Sequence, residues 1–259
     1  NLNLRFHQEM ISQKTSDLIK KGNKTFLWGC KCRSGKTFIF GGLVIKELRR
    51  INKLNVLLIT PSPSETIPQF TEDLFDKYNE FEQFKIHYLS EEISKSDIEE
   101  NNIFVSSKQL LQKYTGDNRL KILKRIKFDI IVFDENHFGG TTKLSKDILE
   151  TYSTAETVNI YMTATYNKPL KEWNISGECQ MYWDIEDEQN CKLATVESIE
   201  KLNQKHGKCV SKTIKYYNDM GLNNLDIFNS YKRMPDLHIL SMMFDNARYE
   251  QIKNKIMGS

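Results

Sequence analysis

The hydrophobic positions of this chain alternate between short continuous runs and runs spaced by three or four residues. Continuous runs such as NVLLIT (55–60) and FDIIVFDE (128–135) are typical of strands buried on both faces of a parallel sheet. The stretch 5–22 carries apolar residues at near-helical spacing and ends at Gly22, which predicts a helix. This alternation predicts an α/β protein with a doubly wound, mainly parallel sheet flanked by helices.

The predicted strands are 24–29, 55–60, 84–89, 102–107, 128–135 and 157–164. The predicted helices between them are 5–22, 35–51, 68–78 and 107–114. Beyond about Lys168 the pattern is less regular, and it predicts strands at 179–187 and 236–244 and helices at 196–207 and 210–221. Ligands of such sheets bind at the carboxyl ends of the strands, so the polar residues after each strand are the candidate site.

The stretch WGCKCRSGKT (28–37) joins a predicted strand to a predicted helix. Gly35, Lys36 and Thr37 supply what a phosphate-binding loop needs: a glycine turn, a helix N-terminus, a cation and a hydroxyl for magnesium. The strict pattern G-x-x-x-x-G-K-[ST] would place a glycine at position 30, where Cys30 stands. The loop therefore needs support from elsewhere in the chain.

A pair of carboxylates provides that support. Asp134 and Glu135 follow the apolar strand of FDIIVFDENH. A carboxylate in this place can hold magnesium, usually through water, and the next can orient or deprotonate the attacking water. An Asp-Glu pair alone is equally typical of a polar turn, but its combination with Lys36 favours a nucleotide site.

Two further stretches carry candidate site residues. YMTAT (161–165) ends a predicted strand with two hydroxyl residues, and LRFHQ (4–8) ends in Gln8. A glutamine amide both donates and accepts hydrogen bonds, as the edge of adenine requires.

Taken in order, these motifs resemble those of superfamily 2 helicases and translocases, in the branch with DEAH-like and type III restriction-enzyme-like members. The resemblance covers residues 4–166 and implies the first RecA-like motor domain of a P-loop NTPase. LRFHQ resembles the adenine-reading glutamine motif, and CKCRSGKT resembles motif I. LLITPSPSETIPQF, IFVSSKQLL, VFDENH and MTAT resemble motifs Ia, Ib, II and III.

The resemblance implies a role for each matching residue, with ATP and Mg²⁺ as ligands. The residues that would hold ATP are Gln8 and Arg5 at adenine, and Arg33, Ser34, Gly35, Lys36 and Thr37 at the phosphates. Thr37 and Asp134 would hold Mg²⁺, Glu135 would activate water, and His137 would sense the γ-phosphate. The residues on the nucleic-acid face, or coupling to it, would be Pro61, Ser62, Ser106, Ser107, Thr163 and Thr165.

The sequence departs from the family pattern in two respects. Asn136 replaces a small residue of the acidic motif, and Cys30, Cys32 and Arg33 make the loop bulkier than usual. A Q-x-x-G-R-x-x-R-like motif, which would supply arginine fingers, does not occur in this sequence. We therefore expect 1–169 to be motor domain 1, and 170–259 to complete it and lead toward an absent second RecA-like domain. Such a chain should bind ATP, hydrolyse it slowly and not unwind a duplex alone.

Composition leaves the partner open. The net charge is only +3, from 37 basic and 34 acidic residues, which neither requires nor excludes a basic groove for nucleic acid. The resemblance favours DNA over RNA. An odd count of five cysteines predicts a reduced, intracellular protein of cytoplasm or nucleus, and the RSGKT ending keeps a viral or phage origin open. No apolar run approaches the roughly 18 residues that would cross a membrane.

Other functional classes remain as alternatives. A helicase-like module could use ATP as a switch, or not at all, to hold a partner or a strand without unwinding. A P-loop ATPase or kinase unrelated to nucleic acid would have no reason to carry motifs Ia, Ib and III. The spacing of Cys179, Cys191, His206 and Cys209 matches no common zinc pattern.

Overall fold

A seven-stranded sheet forms the centre of the molecule. The computed structural model describes residues 1–61, 63–88, 95–113, 122–134, 143–164 and 174–236. Its strands are β1 (Thr25–Cys30), β2 (Asn55–Thr60), β3 (Lys85–Tyr88), β4 (Asn102–Ser107), β5 (Ile130–Phe133), β6 (Val158–Thr163) and β7 (Gln180–Trp183). Their order across the sheet is β3-β4-β2-β5-β6-β1-β7, and every neighbouring pair is parallel. The predicted α/β architecture is confirmed, and the sheet is parallel throughout these residues.

The helices of the described ranges follow or precede the strands along the chain. They are α1 (Phe6–Lys20), α2 (Lys36–Ile51), α3 (Pro63–Phe70), α4 (Lys108–Lys113), α5 (Lys143–Tyr152), α6 (Ile185–Leu193), α7 (Val196–His206), α8 (Cys209–Asp219) and α9 (Asn224–Ile227). None of these helices combines the length and the apolarity that crossing a bilayer requires.

The burial pattern explains why the central strands have continuous apolar sequences. Neighbouring residues of β5 such as Ile131 and Val132 are both fully buried, although successive side chains of a strand point to opposite faces. Both faces of the sheet are therefore covered, as parallel sheets require. The edge strands β3 and β7 instead alternate between more and less buried positions.

Two predicted elements are wrong in their bounds, for local reasons. The helix predicted at 68–78 begins earlier, at Pro63, and gives way to a wider π-type turn at Thr71–Phe75. Pro68 lies inside this helix, and its missing N–H weakens the helical ladder. The pattern had instead suggested Pro68 as the helix start, where proline is common.

The strand predicted at 179–187 is also shorter in the structure. β7 ends at Trp183, because the Asp184 side chain accepts hydrogen bonds from the backbone N–H groups of Glu186 and Asp187 and starts α6. Helix α5 is missing from the predicted elements, although its Ile148 and Tyr152 are four residues apart and buried. The strand predicted at 236–244 lies outside the described residues, apart from Asp236.

The helices after β7 pack back onto the first helix of the chain. Helix α8 contacts α1, and α7 contacts both α6 and α8. The Tyr217 hydroxyl of α8 donates a hydrogen bond to the Leu4 carbonyl at 2.7 Å. β7 and α6–α9 are thus continuous with the body of the sheet domain, although they follow the least regular part of the sequence.

Candidate nucleotide-binding site

The loop between β1 and α2 has the backbone of an anion-binding turn. Gly35 lies in the left-handed region at φ +78° and precedes Lys36, the first residue of α2. Arg33 also has a positive φ, +63°, which is unusual for a residue with a side chain. The N-terminus of a long helix therefore opens directly beyond the loop, where its first N–H groups and its dipole favour an anion.

The Gln8 side chain packs directly against Gly35. A Cβ added at Gly35 would lie 2.5 Å from Nε2 of Gln8, far inside van der Waals contact. A larger residue at this position would therefore displace the Gln8 amide, in addition to straining the left-handed backbone.

A cleft of about 290 Å³ connects this loop to the end of β5. The residues that line it are Cys32, Arg33, Gly35, Lys36, Thr37, Phe38, Gln69, Asp73 and Asp134. β5 lies beside β2, and the Asp134 N–H donates to the Ile59 carbonyl at 2.8 Å. The sheet thereby brings Asp134 to the same cleft as Lys36 and Thr37. Larger depressions of about 470 and 750 Å³ border α1 and α8, but neither includes a residue of this loop.

The chemistry of the cleft fits a nucleotide with magnesium. Lys36 is a cation for phosphate, Thr37 and Asp134 offer the oxygen ligands that Mg²⁺ prefers, and the helix N-terminus favours a second set of negative charges. The Ser34 hydroxyl is buried in the same loop without a hydrogen-bond partner. Phosphate groups would pair with the lysine and the helix N-terminus, and a hydrated cation would pair with Thr37 and Asp134.

Gln69 and Asp73 line the cleft but are missing from the predicted site residues. Both are exposed and lie at the end of α3 and in the turn that follows it. Their spacing of four residues, just after the strand of motif Ia, is the signal that could have identified them.

Gln8 and Arg5 lie at the start of α1, behind the loop. The Gln8 side chain accepts a hydrogen bond from the Arg5 N–H at 2.9 Å and donates one to the Ser34 carbonyl at 3.2 Å. It is only 3% exposed, whereas Arg5 is exposed. The Gln8 side chain thus holds the loop at the Ser34 carbonyl. The contact of Gln8 and Arg5 with adenine stays a prediction.

Four of the residues assigned to nucleic acid, Pro61, Ser106, Ser107 and Thr163, lie at or just beyond the carboxyl ends of their strands. Ser106 and Ser107 are nearly buried, and the Ser107 hydroxyl accepts a hydrogen bond from the Leu110 N–H at the start of α4. Thr163 is buried at the end of β6, and Pro61 is partly exposed after β2. Ser62, Glu135, His137 and Thr165 lie outside the described residues.

His7, next to Gln8, is a buried titratable group against the same loop. Its ring is fully buried, stacks on Trp183 with centroids 4.7 Å apart, and lies 2.7 Å from the Ser34 carbonyl. Burial lowers the pKa of His7 to about 3; the Ser34 hydrogen bond opposes this decrease, and the charges of Arg5, Lys31 and His206 add smaller decreases. His7 is therefore neutral in the folded protein at physiological pH.

This pKa predicts a loss of stability in mild acid. The unfolded chain takes up a proton on His7 below pH 6.5, whereas the folded chain does not until about pH 3, so lowering the pH favours unfolding. Between pH 7 and pH 5 this one group should lower the unfolding free energy by about 2 kcal/mol. Urea unfolding at pH 7 and at pH 5 measures the change in unfolding free energy. In His7→Gln the difference between the two pH values should be smaller by about 2 kcal/mol. An identical pH dependence in His7→Gln would contradict the prediction.

Comparison with known proteins agrees with this geometry. Residues 1–168 match the family described as "Type III restriction enzyme, res subunit". A relative from Mycoplasma pneumoniae, the C-terminal part of the putative type II restriction enzyme and methyltransferase RM.MpnORF110P, is 30% identical over 135 residues. That alignment covers 47% of this chain and 18% of the relative.

Solved structures show the same fold at low sequence identity. The type ISP restriction-modification enzyme LlaGI, solved as a nuclease-deletion mutant with a DNA substrate mimic, matches with a TM-score of 0.51 and 14% identity, over 84% of this chain and 22% of LlaGI. The Hef helicase domain of Pyrococcus furiosus matches with a TM-score of 0.52 and 16% identity, over 88% of this chain and 56% of that domain.

The predicted RecA-like fold is thus confirmed, and the chain spans about a fifth of the length of the two restriction enzymes. The family match extends over most of the chain and includes both the phosphate loop and the acidic strand end. This chain belongs to the type III restriction enzyme res subunit family, a superfamily 2 helicase-like family.

Proposed function

We propose that this chain is the ATP-binding motor domain of a DNA helicase or translocase. It binds ATP with Mg²⁺ and hydrolyses it in a manner coupled to nucleic acid, slowly without a second RecA-like domain. The observation that carries the proposal is the cleft that Lys36 and Thr37, at the start of α2, share with Asp134, at the end of β5. Family membership supports the same reading.

The proposed roles follow from what each side chain can do. Lys36 and the N–H groups of the loop and of the first turn of α2 bind the phosphates, and Arg33 and Ser34 flank them. Thr37 and Asp134 hold Mg²⁺, which neutralises phosphate charge when bound. Glu135 orients and deprotonates the attacking water, and His137 responds to the γ-phosphate. Gln8 and Arg5 contact the adenine.

The proposed nucleic-acid face is the carboxyl edge beyond β2, β4 and β6. Pro61, Ser62, Ser106, Ser107, Thr163 and Thr165 form or support it. Contacts there would go mainly to the phosphate backbone, so binding should weaken with salt and show little sequence preference. DNA is favoured over RNA because the restriction-modification enzyme LlaGI, which has the same fold, was solved with a DNA substrate mimic.

The proposal is tested by ATP turnover with and without single- and double-stranded DNA and RNA, over a salt series. We expect slow turnover alone and stimulation by DNA that fades as salt rises. Stimulation by RNA only would overturn the choice of DNA. Mg²⁺-dependent ATP binding without turnover under every condition would favour the alternative, a module that uses ATP as a switch. Absence of Mg²⁺-dependent ATP binding would overturn the nucleotide site itself.

A further inference from the structure

The back of the phosphate loop contacts His7, which in turn contacts a segment from the far end of the described chain. His7 Nδ1 lies 2.5 Å from the hydroxyl of Tyr231, a residue 224 positions away, and His7 Nε2 lies 2.7 Å from the Ser34 carbonyl. The backbone N–H of His7 also donates to the Tyr231 hydroxyl at 3.1 Å. His7 and Tyr231 are both fully buried, so water does not compete for these hydrogen bonds.

The chemistry of these atoms fixes the direction of the hydrogen bonds. The Ser34 carbonyl can only accept, so Nε2 of His7 carries the hydrogen and donates it. Nδ1 of the neutral ring then accepts from the Tyr231 hydroxyl. A single tautomer of His7 thus joins Tyr231 to the loop in one chain of hydrogen bonds.

The other end of the loop is held by the same part of the molecule. The Lys31 N–H donates to the Trp183 carbonyl at 2.9 Å, and its ammonium group lies 2.9 Å from the Glu188 carboxylate, which is almost buried. Trp183 stacks on His7. Trp183 and Glu188 therefore hold the loop directly at Lys31, and Tyr231 reaches Ser34 through His7.

The orientation of the Ser34 carbonyl matters for the front of the loop. The Ser34 carbonyl and the Gly35 N–H belong to one trans peptide unit, in which they point in opposite directions. Because His7 and Gln8 both hold the carbonyl from behind, the Gly35 N–H points away from them, and Gly35 lines the cleft. Turning this peptide would remove that N–H from its place in the loop.

We propose that His7 and Tyr231 are positioning residues that fix the Ser34–Gly35 peptide, so that the phosphate loop and the segment Asn224–Tyr231 are energetically coupled. The effect on nucleotide affinity rests on the proposed function; the coupling itself does not. Because such coupling acts in both directions, a ligand that stabilises the loop also stabilises the packing of Asn224–Tyr231.

The experiment compares Tyr231→Phe with Tyr217→Phe in the full chain without nucleotide. Both variants remove one hydroxyl that bonds to the N-terminal segment. The Tyr231 hydroxyl reaches the loop through His7, whereas the Tyr217 hydroxyl donates to the Leu4 carbonyl. Hydrogen–deuterium exchange followed by mass spectrometry reports on the amides of 31–37. We expect on the order of tenfold faster exchange in Tyr231→Phe and unchanged exchange in Tyr217→Phe. Equal exchange of the loop in both variants would overturn the proposal.

Substitutions of His7 separate positioning from simple packing. His7→Gln keeps an amide N–H near the place of Nε2, whereas His7→Phe keeps a ring against Trp183 and loses both nitrogens. We expect loop exchange close to wild type in His7→Gln and faster in His7→Phe, at matched global stability from urea unfolding. Fast exchange in His7→Gln together with slow exchange in His7→Phe would show that ring packing, not hydrogen bonding, holds the loop, and would also overturn the proposal.

The nucleotide arm distinguishes this inference from the proposed function. With a fluorescent ATP analogue and Mg²⁺, we expect on the order of tenfold weaker binding in Tyr231→Phe than in Tyr217→Phe, and slower exchange of 224–231 in wild type when the analogue is bound. If wild type and Lys36→Ala bind equally, the proposed function fails, while the nucleotide-free exchange still decides the coupling. If wild type binds more tightly than Lys36→Ala but both tyrosine variants bind alike, the coupling to affinity fails alone.

Discussion

Lys36→Ala is expected to abolish measurable ATP binding. Lys36 is the first residue of α2, directly after the left-handed Gly35, and lines the cleft with Asp134. We propose that its ammonium group binds phosphate at the N-terminus of α2. Removing one partner of such a charge-assisted contact costs about 2–5 kcal/mol, which lowers affinity by a factor of roughly 30 to 4,000. Titration of a fluorescent ATP analogue with Mg²⁺ measures the change.

The matched control is Lys53→Ala, at the opposite end of the same helix. Lys53 is exposed just beyond the end of α2, so its removal changes net charge equally without touching the cleft. Lys46 is a poorer control because it forms an ion pair with Glu9 at 2.9 Å. Equal affinity of Lys36→Ala and Lys53→Ala would contradict the assignment of the cleft as the phosphate site.

Glu135→Gln is expected to keep ATP binding and to lose hydrolysis. Glu135 directly follows Asp134 after the apolar strand. One carboxylate can therefore bind the metal while the other activates water. Glutamine has nearly the same shape but cannot accept a proton, and loss of a general base typically lowers turnover by roughly 10²–10⁴-fold. Nucleotide affinity should stay at the wild-type value, because phosphate contact is the task of the loop. Turnover with the most stimulating nucleic acid and analogue titration measure both quantities.

Two variants frame this result. Glu156→Gln removes a carboxylate that is 90% exposed in the turn before β6, and it should turn over ATP like wild type. Asp134→Asn should weaken binding in Mg²⁺ but not in its absence, since the assigned role of Asp134 is to hold the cation. Turnover of Glu135→Gln equal to that of Glu156→Gln would refute the assignment of the water-activating residue.

The central architecture was predictable because each of its signals is local. Runs such as 56–59 are apolar at every position, as only strands covered on both faces require, and the neighbouring stretch 35–51 follows helical spacing. The loop with Gly35 and Lys36 could be recognised for the same reason, since a tight turn, a cation and a helix start lie within a few residues. The bounds of β7 were not predictable from periodicity, because the Asp184 side chain decides where α6 begins.

By itself the sequence determined the parallel α/β fold, the phosphate loop and the order of the motifs, all of which depend on residues close together in the chain. Only the tertiary structure decided that Asp134 shares a cleft with Lys36 and that Gln69 and Asp73 join them, because strand order in the sheet cannot be read from any one strand. It also decided that His7 is a neutral, buried link between Ser34 and Tyr231. The contact between His7 and Tyr231 joins residues 224 positions apart. No periodicity or spacing in the sequence predicts it, because it forms only when α1, β1 and the last helices pack together.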